Sequence, residues 1–261
     1  MMTSLNEITK KSHKNDGVDY QSEVERACKR LLQKDFSFFP AAKTKSLLQS
    51  VKADALDDFE QFQSSWARLS LDQYMADGGN YRKRRHATLS ALPSSRNFHI
   101  QAHQPHYQSL NYNDLNGGIA RHYEPIEGEI MQGSTMGAFI TLGCELFGRL
   151  SPYSSWHIEA HQFRIESQDN SFGKPTPEGV HQDGVNYVIM AMVKRSNMVN
   201  GSTQIYNREK VKIDEFTLQE PFDMAIVNDE RTDHSVTPIV QLDLVHPAVR
   251  DVLVVTFKKK S

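Results

Sequence analysis

The C-terminal third of the chain contains a short pattern of metal-binding residues that strongly constrains the fold. His181 and Asp183 are separated by one residue, His234 follows 53 residues after His181, and Arg250 lies 16 residues beyond His234. Side chains alternate along an extended strand, so His181 and Asp183 point to the same face. A third ligand at His234 must then come from a strand that folds back beside this pair. The pattern therefore favours a β structure that brings distant strands together.

The same three residues indicate the kind of metal that such a site would bind. Two imidazoles and one carboxylate on one side of an octahedral ion leave three positions open, which is typical of non-haem Fe(II) sites. Each part alone is weak, because the chain has 11 histidines and 32 acidic residues among its 261 residues. The order of the parts, with Gly179 and Gly184 around the His-x-Asp pair, favours a metal site over a metal-free barrel.

The last predicted strand places polar groups on an otherwise apolar face. Arg250, Val252, Val254 and Thr256 share this face because they alternate along the strand. A buried guanidinium is costly unless it is paired, so Arg250 predicts a buried anionic ligand.

The second half of the chain predicts short strands preceded by one helix. Gly133–Arg149 carries apolar residues at helical spacing, and Asn200-Gly201 is a strong hairpin signal. Short strands at regular spacing with Gly and Asn turns are typical of a sandwich or barrel. The strands are expected at Trp156–Ile165, Val185–Val193, Thr203–Tyr206, Asp223–Asn228, Ser235–Leu242 and Val249–Lys258.

The N-terminal quarter predicts helices. Ser22 and Glu25 form a capping box for a helix that ends near Asp35, and an extended stretch at Phe36–Pro40 separates it from a second helical region, Leu47–Trp66. The polar residues 1–20 are expected to be a flexible tail. Residues 21–261 are expected to be one domain, with a helical annex at about 21–75 and a β core at about 80–261.

Composition excludes several classes of partner and compartment. A net charge of −2 gives no support for nucleic acid or an anionic membrane as a partner. No apolar run reaches 18 residues, and no export signal is visible at the N-terminus. Cys28 and Cys144 are too far apart for a CxxC motif, which suits a reducing compartment. We therefore expect a cytoplasmic protein.

A basic stretch precedes the strand-rich half. Alternation along Tyr81–Leu89 would place Arg82 and Arg84 on one face and Lys83 and Arg85 on the other. A solvated basic strand is one interpretation. The other is that one or two of these arginines enter the mouth of the active site and bind a substrate carboxylate through two hydrogen bonds.

Four further histidines could suggest a second metal site. They are His99, His103, His106 and His122, whose spacing does not match a zinc module. We therefore interpret them as surface or loop histidines.

The motifs together resemble the iron(II)/2-oxoglutarate-dependent dioxygenases. Within that family they are most similar to a small bacterial branch that contains L-isoleucine hydroxylases and biofilm-associated relatives. The resemblance covers most of the chain beyond about residue 60. It is carried by His161–Arg164, Pro177–Gly184, His234–Pro238 and Arg250–Phe257, and upstream by Tyr74–Arg85 and Asn116–Ile126.

The resemblance implies an α+β fold with a mainly β core, a double-stranded β-helix (jelly-roll) with N-terminal helices packed against it. It implies Fe(II), 2-oxoglutarate and O₂ as cofactor and cosubstrates, and hydroxylation of a free aliphatic L-amino acid with release of succinate and CO₂. The alternatives are the same chemistry on another small molecule or a protein side chain, or a cupin-like metal sensor without turnover. Arg250 and Thr256 argue against the sensor.

The site residues follow from the same resemblance. His181, Asp183 and His234 would bind the iron, and no protein general base is needed; Glu159 and Glu166 are given no role. For 2-oxoglutarate, Arg250 would pair with the distal carboxylate, Thr256 would add a hydrogen bond, and Gln162 is a weaker candidate for the near carboxylate. The candidates for a substrate carboxylate are Arg82, Arg84 and Arg121.

Overall fold

The computed structural model describes residues 20–169 and 171–260. The tail expected at residues 1–20 lies outside the described part except for Tyr20. The helices of the described part are α1 (Tyr20–Lys34), α2 (Ala41–Val51), α3 (Phe59–Ser64), which continues into a 3-10 turn (Ser65–Arg68), α4 (Gly128–Met131) and α5 (Ser134–Leu150).

The strands outnumber the helices and lie mainly in the second half. They are β1 (Phe36–Phe39), β2 (Ser70–Leu71), β3 (Arg82–Ala91), β4 (Phe98–Ile100), β5 (His106–Tyr107), β6 (Ala120–Arg121), β7 (Trp156–Ser167), β8 (Tyr187–Ser196), β9 (Met198–Asn200), β10 (Thr203–Tyr206), β11 (Lys212–Phe216), β12 (Met224–Asn228), β13 (Asp233–Val236), β14 (Ile239–Gln241) and β15 (Ala248–Lys259).

One large antiparallel sheet dominates the molecule. Its strand order is β1-β12-β8-β15-β7-β3-β2, with β4 beside β3. The longest pairing joins β7 and β15, from Ser167 opposite Ala248 to Trp156 opposite Lys259. A three-stranded sheet, β11-β10-β13, and two strand pairs, β14-β9 and β5-β6, complete the β structure of the described residues. Strands that are far apart in the sequence thus become neighbours, such as β1 and β12.

The helices cover one face of the large sheet. Apolar residues of α1, α2, α3 and α5 form a single core with alternate residues of β7, β8 and β15, among them Ile158, Ile189, Leu253 and Phe257. The intervening residues of these strands face the opposite way and line a cavity. The expected architecture, a mainly β core with helices packed against it, is confirmed. No helix of the described residues is long and apolar enough to span a membrane.

The turn at Asn200-Gly201 differs from the sequence interpretation. Both residues have positive φ angles, 64° and 76°, as a tight turn of this composition requires. The strands on its two sides do not pair with each other, because β9 pairs with β14 and β10 pairs with β11 and β13. The hairpin prediction was therefore wrong, and the turn connects two sheets instead.

A close approach of α5 to the large sheet depends on Gly143. A Cβ at this position would overlap the ring of Phe257 and lie 3.0 Å from Ile189 Cδ1. Alanine favours a helix by about 1 kcal/mol, but overpacking a buried contact costs about 1–3 kcal/mol. We expect Gly143→Ala to lower the free energy of unfolding by up to about 2 kcal/mol in urea denaturation, the overpacking cost less the gain in helix propensity. Gly128→Ala is the control, since nothing lies within 4 Å of that Cβ, and an equal loss in both variants would contradict the prediction.

Candidate active site

A cavity of about 310 Å³ opens beside the inner face of the large sheet. The alternate residues of β15 that the sequence placed on one face, Arg250, Val252, Val254 and Thr256, all line it. His181, Asp183 and His234 line the same cavity. The fold therefore brings the three candidate metal ligands and the buried arginine to one cavity.

The three residues of the metal motif lie close together. Asp183 is between the two imidazoles, with Oδ1 3.6 Å from His181 Nε2 and Oδ2 3.6 Å from His234 Nε2. One donor atom from each residue lies within 4.8 Å of the others. A two-way backbone pairing fixes the two histidines, because each amide donates to the other's carbonyl, at 3.0 and 2.9 Å. This donor set and its spacing fit an Fe(II) ion with open positions.

Neighbouring groups orient the three candidate metal ligands. His181 Nδ1 donates to the Gly179 carbonyl over 2.9 Å, which directs Nε2 towards the centre of the triad. The buried carboxylate of Asp229 accepts the amide N–H groups of Asp183, Gly184 and Val185, at 3.0, 2.8 and 3.1 Å. Sequence reasoning missed Asp229, because it lies 46 residues from Asp183 and belongs to no motif.

Burial and mutual charge set the protonation of the triad in the metal-free protein. Burial alone would lower the pKa of His181, but Asp183 and Glu178 raise it to about 9. Burial opposes ionisation of Asp183, yet His181 and His234 lower its pKa below the usual range. Burial and His181 lower the pKa of His234 to about 4. A metal ion would therefore displace a proton from His181 and find an ionised carboxylate beside it.

Arg250 is a buried cation without an anionic partner. Its residue exposure is 5%, its Nε has no hydrogen-bond partner, and no carboxylate of the described residues lies within 4.0 Å of it. Burial, and then the nearby Arg195, lower its pKa to about 10. At neutral pH the guanidinium remains charged, so it fits a ligand that carries a carboxylate.

The structure does not bring Thr256 and Gln162 to Arg250. Thr256 is six residues from Arg250 on the same strand, a separation of roughly 20 Å that a five-carbon diacid cannot span. Gln162 points to the helical side of the sheet and donates to Ser65 Oγ over 2.8 Å. Its neighbours His161 and Phe163 line the cavity, so the period of two along β7 turns Gln162 away. We withdraw both as partners of Arg250 in binding one cosubstrate.

The basic strand alternates as expected, with Arg82 and Arg84 buried and lining the cavity. Arg82 is already paired, because its Nε donates to Asp72 Oδ2 over 2.8 Å. Arg84 lies between the rings of Tyr123 and Phe163, 3.9 and 4.3 Å from their centroids. Both arginines therefore share the Asp72 carboxylate, which Arg82 contacts directly and from which Arg84 Nη1 lies 3.9 Å away.

Arg121 combines burial with the lack of a carboxylate partner. It is 2% exposed, lines the cavity and donates from Nη2 to Gln108 Oε1 over 3.2 Å. Gln108 in turn donates to the backbone carbonyl of Asp183 over 3.1 Å. Within residues 20–169 and 171–260, no carboxylate lies within 4.0 Å of the Arg121 guanidinium.

The geometry agrees with the comparison to known protein families. A family model described as 2OG-Fe dioxygenase matches residues 63–256. The chain belongs to this family. This dioxygenase is therefore an oxidoreductase that uses Fe(II), 2-oxoglutarate and O₂.

Three relatives show which members the dioxygenase is similar to. A 3(1)-hydroxy-L-isoleucine 4-dioxygenase of Pantoea ananatis is 26% identical over 88% of this chain and 94% of the relative. An L-isoleucine-4-hydroxylase of Bacillus thuringiensis is 23% identical over 77% of this chain and 86% of the relative. The crystal structure of a bsmA homolog from Methylobium petroleophilum matches with a TM-score of 0.80 and 32% identity, covering 90% of this chain and 92% of that one.

A second group of titratable residues surrounds Glu159 of the dioxygenase. His106 Nδ1 and His86 Nε2 lie 2.9 and 3.3 Å from its carboxylate oxygens, and the Nε2 atoms of His161 and His157 lie 3.5 and 3.7 Å away. The interpretation of His106 as a surface or loop histidine was wrong, because its side chain is largely buried against Glu159. The alternation His157-x-Glu159-x-His161, which puts all three side chains on one face of the predicted strand, was the available signal.

Proposed function

We propose that this dioxygenase hydroxylates a free aliphatic L-amino acid and releases succinate and CO₂, with His181, Asp183 and His234 as the iron ligands. The observation that carries the proposal is the presence of two buried arginines without carboxylate partners in one cavity, Arg250 and Arg121. One fits the distal carboxylate of 2-oxoglutarate, and the other fits the carboxylate of a substrate.

The two arginines lie at different ends of the cavity. Arg250 is opposite Ile165 of β7. Arg121 is opposite His106 in the β5-β6 pair, and His106 contacts Glu159, which is six residues from Ile165 along β7, or roughly 20 Å. Two anionic ligands can therefore bind without competing for one guanidinium.

We further infer that the large sheet and the β11-β10-β13 sheet form the two sides of a double-stranded β-helix. The pairing of the His181 and His234 backbones connects the loop before β8 to β13, and so joins the two sheets at the metal-binding residues. The likeness to the bsmA homolog over nine-tenths of the chain supports this arrangement.

The chain's own residues bind and orient the reactants in this proposal. Fe(II), 2-oxoglutarate and O₂ supply the oxidising power when they are bound. Arg250 fixes the cosubstrate by its distal carboxylate, and Arg121 fixes the substrate by its carboxylate, so that one C–H bond is held near the metal. Val188, Val252 and Val254 line the cavity with apolar groups and exclude water from the reacting carbon. No side chain is needed as a general base.

The curated relatives support an aliphatic amino acid as the substrate class, since both are named for isoleucine or a hydroxylated isoleucine. A cavity of about 310 Å³ is at the lower end of the range for small-molecule sites.

The proposal is tested by a screen of the proteinogenic amino acids for substrate-dependent succinate formation with Fe(II) and 2-oxoglutarate. We expect at least one aliphatic L-amino acid to be hydroxylated, and its methyl ester to fail because the ester cannot pair with an arginine. Turnover of esters or peptides as fast as the free acid would contradict a free amino acid as the substrate. The alternative, another small molecule or a protein side chain, would then take its place.

Substitution of Arg121 tests whether this residue binds the substrate carboxylate. We expect Arg121→Ala to raise the KM for the amino acid by about 100-fold or more, because a charged hydrogen-bonded pair is lost, while the affinity for 2-oxoglutarate stays unchanged. Arg85→Ala is the matched control, since Arg85 belongs to the basic stretch but donates to the carbonyls of Arg68 and Pro125. An equal KM in the Arg121 and Arg85 variants would exclude Arg121 as the substrate anchor.

A further inference from the structure

Glu159 lies where a substrate, and not the cosubstrate, can reach it. On β7 it is opposite Thr256, whereas Ile165 is opposite Arg250, and the six-residue separation of Glu159 and Ile165 along the strand is roughly 20 Å. A 2-oxoglutarate molecule bound by Arg250 therefore cannot contact Glu159. Of the described carboxylates that line the cavity, the other two are Glu178 and Asp183, which lie 3.4 and 3.6 Å from His181 Nε2. Glu159 is thus the cavity carboxylate that stands apart from the proposed iron ligands.

The surroundings of Glu159 keep it ionised. Burial alone would raise its pKa, but the imidazoles of His106, His157, His161 and His86 beside the carboxylate lower the pKa well below the usual range. Burial lowers the pKa of His106 to about 4 and lowers the pKa values of His86 and His161 as well. The neutral imidazoles of His86, His106 and His161 therefore leave the negative charge in place, and no Lys or Arg of the described residues lies within 4.0 Å of this carboxylate.

A second metal ion is a competing interpretation of this cluster. Single donor atoms of His86, His106, Glu159 and His161 lie within 4.8 Å of one another. Arg84 Nη2 lies 2.8 Å from His161 Nδ1, and a guanidinium can only donate, so Nδ1 must accept this hydrogen bond. The neutral ring then carries its proton on Nε2, 3.5 Å from Glu159 Oε2. His161 therefore presents a hydrogen to Glu159, not a lone pair to a cation.

The carboxylate still has room for another donor. Two of the four imidazoles, those of His106 and His86, lie within 3.5 Å hydrogen-bond distance at 2.9 and 3.3 Å, and the carboxylate has about four lone-pair positions. The side chain of Glu159 is 12% exposed, and the residue lines the cavity.

Positive charge lies next to this carboxylate without pairing with it. His106 contacts Glu159 and is the cross-strand partner of Arg121. His161 contacts Glu159 with one ring nitrogen and Arg84 with the other. His106 thus lies between the Glu159 carboxylate and Arg121, and His161 lies between that carboxylate and Arg84. A negative and a positive group this close together match the ammonium and carboxylate of an amino acid.

We propose that Glu159 accepts the α-ammonium group of the substrate while Arg121 binds its α-carboxylate. This inference rests on the proposed function, because it assumes that the substrate is a free amino acid. A site built to accept N–H donors rejects an analogue that lacks them, since its buried acceptor is left unpaired. The dioxygenase should therefore discriminate strongly against the carboxylic acid that has the same carbon skeleton without the amino group.

The test is a pair of calorimetric titrations of the Mn(II)- and 2-oxoglutarate-loaded dioxygenase without O₂. The ligands are the amino acid that the screen identifies and its des-amino analogue. We expect the wild-type protein to bind the amino acid at least about 100-fold more tightly than the analogue. Glu159→Gln should weaken amino-acid binding by about 10- to 100-fold and leave binding of the analogue unchanged or improved. The preference for the amino acid over its analogue should therefore fall by at least the same factor.

Glu166→Gln is the matched control on the same strand. Glu166 pairs with Lys83 over 3.0 Å and does not line the cavity, so this variant should keep the wild-type ratio. If Glu159→Gln does not fold, the wild-type protein alone still tests the inference. Equal affinities for the amino acid and its des-amino analogue would overturn it.

Two further outcomes would overturn the assignment of Glu159. One is that an amino acid is hydroxylated, but Glu159→Gln still prefers it over the des-amino analogue by the wild-type factor. The proposed function would then stand without this role for Glu159. The other is a stoichiometry of two metal ions per wild-type chain that falls to one in Glu159→Gln, which would make the cluster a metal site. A screen in which no amino acid is hydroxylated overturns the proposed function, and this inference with it.

Discussion

Removal of any one proposed iron ligand is expected to abolish substrate-dependent succinate formation. His181→Ala, Asp183→Ala and His234→Ala each leave two protein donors, which bind Fe(II) poorly and leave the cosubstrate without a fixed position. The fold should persist, because the amides and carbonyls that join His181 and His234 belong to the backbone. Of all substitutions considered for this dioxygenase, these three should have the largest effect on turnover.

Metal binding separates this explanation from a general loss of structure. Calorimetric titration with Mn(II) should show one strong site in the wild-type protein and none in the three variants, with unchanged circular dichroism. His246→Ala is the control, since the His246 side chain is 76% exposed and its Nδ1 lies 3.9 Å from Asp243 Oδ1. Strong Mn(II) binding that survived in all three variants would move the iron site elsewhere, and the His-rich cluster around Glu159 would be the next place to look.

The sequence predicted those parts of the fold that follow from local periodicity. The helix expected at Gly133–Arg149 is α5 (Ser134–Leu150), and the strand expected at Val249–Lys258 is β15 (Ala248–Lys259). In both cases the apolar residues repeat with the period of the element and face one core. The turn at Asn200-Gly201 failed because turn chemistry determines the local backbone, whereas the partners of the flanking strands depend on the whole fold.

The grouping of His181, Asp183 and His234 in one place was predictable from the order of the motif. The strand expected for His181 and Asp183 was wrong, because both lie in the loop before β8 and only His181 pairs with the His234 backbone. Two cosubstrate assignments were withdrawn for different reasons: Thr256 lies too far along β15 from Arg250, and Gln162 faces the helical side of the sheet. Thr256 shares a face with Arg250, but a period of two does not say how far along the strand a ligand extends. Gln162 was chosen from its resemblance to a family segment, although the period of two already turns it away from His161.

The cluster around Glu159 could be only partly predicted. His157, Glu159 and His161 alternate on one predicted strand, so their common face was visible in the sequence. His86 and His106 come from β3 and from the β5-β6 pair, and only the pairing of β3 with β7 and the placement of the 106–121 segment bring them to Glu159. Long-range placement of this kind has no local signal in a single sequence.

Replacement of Arg250 is expected to weaken 2-oxoglutarate binding steeply. Arg250→Ala removes the partner of a buried carboxylate, a loss that typically costs about 3–5 kcal/mol, or more than about 100-fold in affinity. Arg250→Lys should recover only part of the affinity, because an ammonium cannot form the two parallel hydrogen bonds of a guanidinium. Calorimetric titration of 2-oxoglutarate into the Mn(II)-loaded protein measures both effects, with Arg231→Ala as a surface control whose side chain is 68% exposed.

The stability of the cosubstrate-free protein provides a second, independent readout for Arg250. Without 2-oxoglutarate this guanidinium is buried and has no carboxylate partner, so its charge opposes folding. Arg250→Met keeps much of the side-chain volume and removes the charge; we therefore expect a free energy of unfolding no lower than that of the wild-type protein. Addition of 2-oxoglutarate should raise the Tm of the wild-type protein and leave that of Arg250→Met nearly unchanged, because ligand stabilisation requires binding to the folded state. Should Arg250→Met unfold more easily and still respond to 2-oxoglutarate, Arg250 would be a structural residue and the distal carboxylate would bind elsewhere in the cavity.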